Sequence, residues 1–254
     1  MKFSIITTTL NSSLFINDCL KSVQEQNYDN IEHIIIDGAS TDETLSILGA
    51  KRKQITALVS EKDKGIYDAM NKGVKIATGE IIGFLNSDDF YASDEVISKV
   101  ANTFKDDPYL EACYSDLVYT NRIDISKNIR YWKSNKFIQG SFSKGWCPPH
   151  PTFFCKRSVY ERFGNFNLNY KIASDVELMM RFLEVNKINI RYIPEILVKM
   201  RMGGISNKSL KNIIKLNLEI LRALSSHNLS KNPFSFFCYK IISRVKQFLL
   251  KSKI

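Results

Sequence analysis

Ile81-Ile82-Gly83-Phe84-Leu85-Asn86-Ser87-Asp88-Asp89-Phe90 is the stretch of the sequence that decides the fold. It is a short apolar run, rich in β-branched and aromatic residues, and it predicts a buried strand that ends in a polar turn. Ligands of parallel sheets bind at the carboxyl ends of the strands, where Asp88 and Asp89 would lie. Adjacent carboxylates repel each other, and Mg²⁺ or Mn²⁺ relieves that repulsion. The stretch thus predicts either a metal–diphosphate site or a turn with two solvated acids.

Length and composition narrow the class of protein. A chain of 254 residues predicts one large domain, or one domain with an appendage, and 44% hydrophobic residues suffice for a core. The five cysteines form no Cys-x-x-Cys pair, and the three histidines are far apart. This pattern argues against a zinc site or a disulfide framework and favours a reducing compartment.

Membrane-targeting signals are weak in the sequence. The N-terminal apolar run is too short for a signal peptide, and no stretch has the length of a membrane span. We therefore expect a cytoplasmic protein, or one peripheral at the inner face of the cell membrane.

The net charge of +10 is concentrated in the C-terminal tail. Residues 208–254 contain eight Lys and two Arg against one acid, Glu219, so residues 1–207 are nearly neutral. A basic tail suggests that an anionic membrane or a nucleic acid binds there.

Strands and helices alternate in the first half of the chain. Apolar runs predict strands at 3–8, 31–36, 55–60 and 80–85, and helical patterns lie between them. The loop after the first strand contains no glycine, so a dinucleotide fingerprint and a P-loop are both absent. The pattern indicates βαβ units.

Asp37 ends the second predicted strand. The capping box Ser40-Thr41-Asp42-Glu43 then opens the next helix. The Asp37 carboxylate could accept a hydrogen bond from a nucleotide base or ribose, or it could be an ordinary strand-end turn residue.

The second half of the chain carries two further candidates. His150 lies between two prolines, so it would be in an extended loop and contact a phosphate or sugar, or simply lie on the surface. Ser174 and Glu177 form a second capping box, which places Asp175 in the first turn of a helix. There Asp175 would be a rigid carboxylate at a cleft, or only a complement to the helix dipole.

Other segments of this half are less distinct. We predict strands at 112–119, 188–193 and 196–200. Residues 121–145 are polar and aromatic without a clear period, and could form a loop over the site.

Three stretches in this order resemble the family 2 glycosyltransferases of the GT-A type, above all bacterial enzymes that build capsular, O-antigen or colanic-acid polysaccharides. The resemblance covers roughly residues 1–200. The stretches are Asp37-Gly38-Ala39-Ser40-Thr41-Asp42, the segment from Asp63-x-Gly65-Ile66-Tyr67-Asp68-Ala69-Met70-Asn71 through Gly79-Glu80 to Asp89, and His150-Pro151-Thr152 with Ser174-Asp175-x-Glu177-Leu178.

The resemblance implies an α/β fold: a GT-A-like, Rossmann-type mixed central sheet flanked by helices. The glycosyltransferase domain would span residues 1–205, with nucleotide-sugar binding in 1–110 and acceptor binding in 111–205. A basic helical tail would follow at 206–254.

The resemblance also implies roles for single residues. Asp175 would be the general base, and Asp88 and Asp89 would hold Mn²⁺ or Mg²⁺. The nucleotide sugar would contact Thr8, Asp37, Asp63, Asn71, Asp88 and His150. Two departures stand out, because many members carry Arg at the position of Met70 and Asp at that of Asn86.

The implied activity is an inverting, metal-dependent hexosyl transfer from a nucleotide sugar, with a UDP-sugar favoured, in surface polysaccharide synthesis. The acceptor would be a glycan or a polyprenyl-diphosphate-linked molecule. One alternative is a sugar nucleotidyltransferase, but residues 7–13 lack its Gly-rich basic loop. The other is a nucleic-acid-binding protein, but the tail lacks an aromatic stacking platform, so we expect no nucleic acid partner.

Residues 233–254 predict a basic amphipathic helix suited to an anionic membrane surface. Alternatively, this helix packs on its own domain or on a partner. Its apolar face would comprise Cys238, Ile241, Ile242, Val245, Phe248 and Leu249, and its polar face Lys240, Arg244, Gln247 and Lys251.

Overall fold

The computed structural model describes residues 1–203, 209–229, 236–240, 242 and 245. The strands are β1 Phe3–Thr9, β2 Ile31–Asp37, β3 Ala57–Ser60, β4 Ile81–Phe84, β5 Phe90–Tyr91, β6 Ala112–Thr120, β7 Asn128–Trp132, β8 Phe154–Lys156 and β9 Ile190–Arg201. The α-helices are α1 Ile16–Gln24, α2 Thr44–Ala50, α3 Ile66–Ile76, α4 Val96–Lys105, α5 Arg157–Phe163, α6 Ser174–Met180 and α7 Leu210–Ser226.

All of these strands belong to one mixed sheet, in the order β3-β2-β1-β4-β8-β6-β9-β5, with β7 also paired to β6. The first four strands in this order are parallel to one another. Strand β8 is antiparallel to both β4 and β6, so β6 runs in the same direction as β4, and β9 is parallel to β6. Because of this arrangement, β1, β2, β3, β4, β6 and β9 all end at one edge of the sheet.

Helices cover both faces of the sheet. Along β1, Phe3 and Ile5 pack into one hydrophobic cluster and Ile6 into another. In β4 the adjacent residues Ile81 and Ile82 divide in the same way. Strands buried on both faces read as continuous apolar runs, which is why the sequence identified them.

The predicted mixed sheet flanked by helices is confirmed, and several element boundaries lie within one or two residues of the prediction. The two strands predicted at 188–193 and 196–200 are one strand, β9, with an irregular register beside Asp116. Strand β7 lies inside the unassigned segment 121–145, and helix α5 was not predicted.

Both predicted capping boxes are wrong. Helix α2 begins at Thr44, and the Ser40 hydroxyl donates to Asp37 instead of capping it. Helix α6 begins at Ser174, whose hydroxyl donates to the carbonyl oxygen of Asn167. In each case a strand-end or loop acceptor takes the hydroxyl hydrogen, so the serine does not cap the helix, and the Thr44 amide of α2 donates to Asp42 Oδ1 instead. Asp175 still lies in the first turn of α6, as predicted.

The described part of the tail packs on the domain. Phe236 is buried in the main hydrophobic cluster, and Lys240 Nζ donates to Asn217 Oδ1 over 2.7 Å. Ile242 and Val245 are about half exposed. The predicted tail residues Ile241, Arg244, Gln247, Phe248, Leu249 and Lys251 lie outside the described residues. No helix within the described ranges is both long and apolar enough to cross a bilayer.

His33 in β2 is fully buried beside Thr7, whose Oγ1 lies 2.9 Å from its Nε2. Burial lowers the pKa of His33 to about 3. Below the ordinary histidine pKa of about 6.5, the unfolded chain therefore takes up a proton that the folded chain does not.

We expect acid to destabilise the fold through His33. Once the pH is about one unit below 6.5, each further pH unit should lower the free energy of unfolding by about 1.4 kcal/mol from this group alone, and the slope should be smaller nearer pH 6.5. The loss of stability should continue as the pH falls to the folded-state pKa of His33. Urea unfolding of wild type and His33→Gln at pH 7 and pH 5 measures it, and equal pH slopes in the two proteins would contradict this origin.

Candidate active site

The carboxyl edge of the sheet gathers the loops that carry the predicted site residues. The Ser12 and Ser87 hydroxyls lie 2.8 Å apart, joining the loop after β1 to the loop after β4. A Cβ built on Gly38, after β2, would lie 2.6 Å from Oδ2 of Asp63, after β3. Any larger residue at position 38 would force the Asp63 carboxylate to move.

Asp37 ends β2 as predicted and has no exposed surface. Its Oδ2 accepts hydrogen bonds from the Ser40 amide, at 3.0 Å, and from the Ser60 hydroxyl, at 2.7 Å. Its Oδ1 accepts from the Ser40 hydroxyl. The carboxylate thus holds two strand-end loops together. The predicted contact with a base or ribose would require an exposed oxygen, and Asp37 has no exposed surface.

The two adjacent acids differ in exposure. Asp89 is fully buried, and its Oδ1 accepts from the amide of Arg201, whereas Asp88 is half-buried. Burial raises the pKa of Asp89 well above its ordinary value, and the charge of Asp88 raises it further. Burial also raises the pKa of Asp88, while Arg122 and Arg201 act in the opposite direction. Asp88 is therefore the member of the pair that a ligand can reach.

Arg201, at the end of β9, holds the Asp88–Asp89 turn in place through hydrogen bonds. Its guanidinium donates to the carbonyl oxygen of Asp88 over 2.6 Å and pairs with Asp18. It also lies 5.0 Å from the centre of the Phe90 ring. Arg201 is 3% exposed, so its charge offsets the buried acids from within the fold.

The Asp88–Asp89 pair meets part of the coordination requirement of a divalent cation. Among the residues that the structure describes, no three His, Cys, Asp or Glu side chains converge to hold a metal by themselves. Asp88 offers a hard oxygen ligand at an edge where two carboxylates repel, and Mg²⁺ or Mn²⁺ binds with few protein ligands when phosphate oxygens and water complete the shell. The residues fit a metal that arrives with a phosphorylated ligand.

Two predicted ligand-contacting residues also have hydrogen-bond partners within the fold. The side-chain amide of Asn71 donates to the carbonyl oxygen of Phe166 and accepts from its amide, each over 2.9 Å. Asp63 Oδ1 accepts from the amide of Gly65 over 2.8 Å. Thr8 is 6% exposed, and its hydroxyl has no hydrogen-bond partner among the described residues.

Asp175 lies at the N-terminus of α6, with 15% of its side chain exposed. The Tyr67 hydroxyl lies 2.8 Å from Asp175 Oδ1 and 2.8 Å from the carbonyl oxygen of Ile172, and shares its hydrogen between them. His150 Nδ1 lies 3.2 Å from Asp175 Oδ2. Burial and the Asp175 charge raise the pKa of Tyr67 well above its ordinary value, so Tyr67 remains a hydrogen-bond donor to this carboxylate.

The structure thus brings His150 to Asp175, because His150 precedes the reversed strand β8 and so reaches the same edge. A cavity beside the pair is lined mainly by apolar side chains, including Phe84, Phe166 and Met179. An accessible carboxylate oxygen next to an apolar pocket can accept a proton from a bound hydroxyl group.

Sequence reasoning missed Tyr67 and Arg201 as site residues. Tyr67 was inside the quoted motif, and its place in the first turn of the helix after Gly65 was the available signal. Arg201 is a lone charge at the end of an apolar strand, and nothing in its local sequence connects it with residues 88 and 89 more than a hundred positions earlier.

Comparison with known proteins supplies independent findings. The model of the family described as "Glycosyl transferase family 2" matches residues 4–173. A PGL/p-HBAD biosynthesis glycosyltransferase of Mycobacterium tuberculosis is 32% identical over 210 residues, which cover 81% of this chain and 79% of that protein. An uncharacterized glycosyltransferase of the same organism is 29% identical over 180 residues, or 70% of this chain and 67% of that protein.

Solved structures share the fold at low sequence identity. S. aureus TarS 1-349 in complex with UDP-GlcNAc has a TM-score of 0.70 at 17% identity, covering 99% of this chain and 72% of that one. Mannosyltransferase PcManGT of Pyrobaculum calidifontis, in complex with GDP-Man and Mn²⁺, has a TM-score of 0.67 at 17% identity, covering 99% and 73%. The GT-A-like fold expected from the sequence is thereby confirmed.

The clamp between Asn71 and Phe166 yields a stability prediction. Asn71→Ala leaves both polar groups of the Phe166 backbone without their partner, and should lower the free energy of unfolding by about 1–3 kcal/mol. Asn102→Ala, at an exposed position of α4, is the control and should stay within about 0.5 kcal/mol of wild type. Urea unfolding measures both. Unchanged stability in Asn71→Ala would show that the side chain is free for a ligand.

Proposed function

The chain belongs to glycosyl transferase family 2 and is a glycosyltransferase, and on that premise we propose that it is an inverting enzyme that transfers a sugar from a nucleotide sugar to an acceptor hydroxyl. The observation that carries the proposal is the position of Asp175. This partly exposed carboxylate is fixed by Tyr67, at the start of the helix after β3, and lines one cavity with His150 and with Phe84 at the end of β4. The loops after β1, β2, β3 and β4 meet at this carboxyl edge of the sheet.

The donor would bind across these four loops. Thr8, Asp37, Asp63, Asn71, Asp88 and His150 remain the proposed donor-site residues, with Asp37 and Asn71 shaping the loops from within. Many family members carry Arg at the position of Met70. In this chain, Arg122 and Arg201 supply positive charge beside Asp88 instead. UDP-GlcNAc and GDP-Man, bound by two structural neighbours, support a nucleotide-sugar donor, and we favour a UDP-sugar.

A divalent cation would be held by Asp88 together with the donor diphosphate, with Asp89 behind it as a buried support. When bound, Mn²⁺ or Mg²⁺ neutralises the charge that grows on the leaving nucleotide. The Mn²⁺ in the PcManGT complex supports this cofactor. Arg201 would keep the turn that carries Asp88 in place through its contact with the backbone.

The transfer itself is one displacement. Asp175 takes the proton from the acceptor hydroxyl, whose oxygen forms a bond to the anomeric carbon. The bond between that carbon and the phosphate oxygen breaks, and the nucleotide leaves with the electron pair. Attack opposite the leaving group inverts the anomeric centre. General-base assistance of this kind contributes about 10²- to 10⁴-fold.

The acceptor would be a glycan or a lipid-linked molecule, such as a polyprenyl diphosphate carrier, in surface polysaccharide synthesis. The name of the mycobacterial relatives, which refers to PGL and p-HBAD biosynthesis, supports an acceptor of this general kind. Half-exposed Ile242 and Val245 in a basic segment support a peripheral contact of residues 233–254 with an anionic membrane.

Asp175→Asn should lower the rate of transfer by about 10²- to 10⁴-fold, because the amide cannot accept the hydroxyl proton. Donor affinity should stay close to that of wild type. The measurement is nucleotide release from a panel of UDP-, GDP- and TDP-sugars with Mn²⁺, together with thermal stabilisation by each donor.

Asp94→Asn is the control, since Asp94 is an exposed acid that precedes α4. It should leave rate and donor affinity unchanged. Loss of donor binding in Asp175→Asn with an unchanged single-turnover rate would assign Asp175 to the donor and remove it as the base.

The Mn²⁺ dependence of UDP binding should distinguish Asp88 from Asp89. Asp88→Asn should abolish the Mn²⁺-dependent part of the thermal stabilisation by UDP, because it removes the reachable oxygen ligand. Asp89→Asn should retain most of it, because Asp89 is fully buried. The reverse order of effects would make Asp89 the metal ligand. Equal Mn²⁺-dependent stabilisation of wild type, Asp88→Asn and Asp89→Asn would show that neither acid binds the metal.

A further inference from the structure

Glu219 is the only acid among the 47 residues from 208 to 254, and it points into the protein. It lies in the middle of α7 and is 9% exposed. A carboxylate this deeply buried needs partners that offset its desolvation. Its partners are backbone groups of a single short segment.

One oxygen of Glu219 accepts three successive backbone hydrogen bonds. Oε2 lies 2.9 Å from the amide nitrogen of Lys171, 2.8 Å from that of Ile172 and 3.0 Å from that of Ala173. Successive amides that converge on one anion form a concave backbone nest, in which each bond to the charged oxygen is stronger than a neutral one. Residues 171–173 are therefore folded around the Glu219 carboxylate.

This nest is continuous with the proposed base. Ala173 is the residue before α6, and Asp175 follows two positions later. From the opposite side, the Tyr67 hydroxyl contacts both the carbonyl oxygen of Ile172 and Oδ1 of Asp175. The peptide that Glu219 holds and the carboxylate that accepts the proton thus share one hydrogen-bond donor.

A second contact ties α7 to α6. His227, directly after α7, places its Nε2 2.9 Å from Oε1 of Glu177. Burial alone would raise the pKa of Glu177, but hydrogen bonds from His227 and Arg181 outweigh it and lower the pKa. Glu219, Glu177 and His227 all lie beyond residue 173, where the match to the family model ends.

We propose that Glu219 is a positioning residue for the transfer: it holds the 171–173 nest and thereby fixes Asp175 against Tyr67 in the geometry that accepts the proton. The proposal rests on Asp175 being the base. Helix α7 is then part of the machinery that sets the rate, although it contributes no group that touches the substrate.

The first test needs no substrate. Glu219→Gln removes the charge while keeping the shape, and amide hydrogen exchange followed by mass spectrometry should show faster exchange in peptides covering 168–178. Glu32→Gln is the matched control, because Glu32 is also buried and accepts from the consecutive amides of Thr78 and Gly79, near the start of β4. It should loosen residues 76–80 and leave 168–178 unchanged. Unchanged exchange at 168–178 in Glu219→Gln would overturn the proposal.

The second test is a double-mutant cycle, measured well below each variant's melting temperature with Mn²⁺ and whichever of UDP-GlcNAc and GDP-mannose the wild type cleaves faster. Glu219→Gln should lower kcat about 10- to 100-fold through misplacement of the base, with donor affinity unchanged. Glu219→Asp, which keeps the charge on a shorter arm, should recover part of the rate. In an Asp175→Asn background, Glu219→Gln should cause no further loss.

The outcomes separate this proposal from the proposed function. Full activity of Asp175→Asn alone would remove the base, and with it the positioning role. If Asp175→Asn is impaired but Glu219→Gln lowers kcat by the same factor in both backgrounds, Glu219 acts independently of Asp175 and only the positioning role is wrong. A lower melting temperature with wild-type kcat would leave Glu219 as a contributor to stability and would also overturn the proposal.

Discussion

The three-residue strand β8 is the constraint on which the arrangement of the site depends. Its backbone pairs with β4 on one side and β6 on the other, antiparallel to both. This single reversal makes the β6–β9 pair run in the same direction as the four parallel strands. It also brings the loop before β8, with His150, to the edge where the other strands end. At the same edge, β5 pairs with β9 and brings Asp89 into contact with Arg201.

The acids at this edge divide by burial rather than by their place in the sequence. Asp37 and Asp89 have no exposed surface, and their oxygens are bonded to neighbouring loops. Asp88 and Asp175 keep some access to solvent. The buried pair gives the loops their shape, and the reachable pair is available for chemistry. One residue type thus serves two purposes that only the three-dimensional structure distinguishes.

Much of the sheet and the position of the site could be predicted from the sequence, because buried parallel strands give apolar runs and their ends give polar clusters. The predicted capping boxes failed, because tertiary acceptors competed for the Ser40 and Ser174 hydroxyls. Arg201 and Glu219 could not be assigned, since each acts on residues distant in the chain and neither belongs to a local pattern. Long-range hydrogen bonds leave no periodic signal.

Burial of Phe236 has a consequence for how the C-terminal segment can move. The residue is enclosed in the main core and lies against Gly145, and Lys240 is tied to α7 four residues later. Residues 236–240 are therefore held in one position against the body. A surface that engages Ile242 and Val245 would impose one orientation on the whole molecule, and with it a set angle between that surface and the mouth of the cleft.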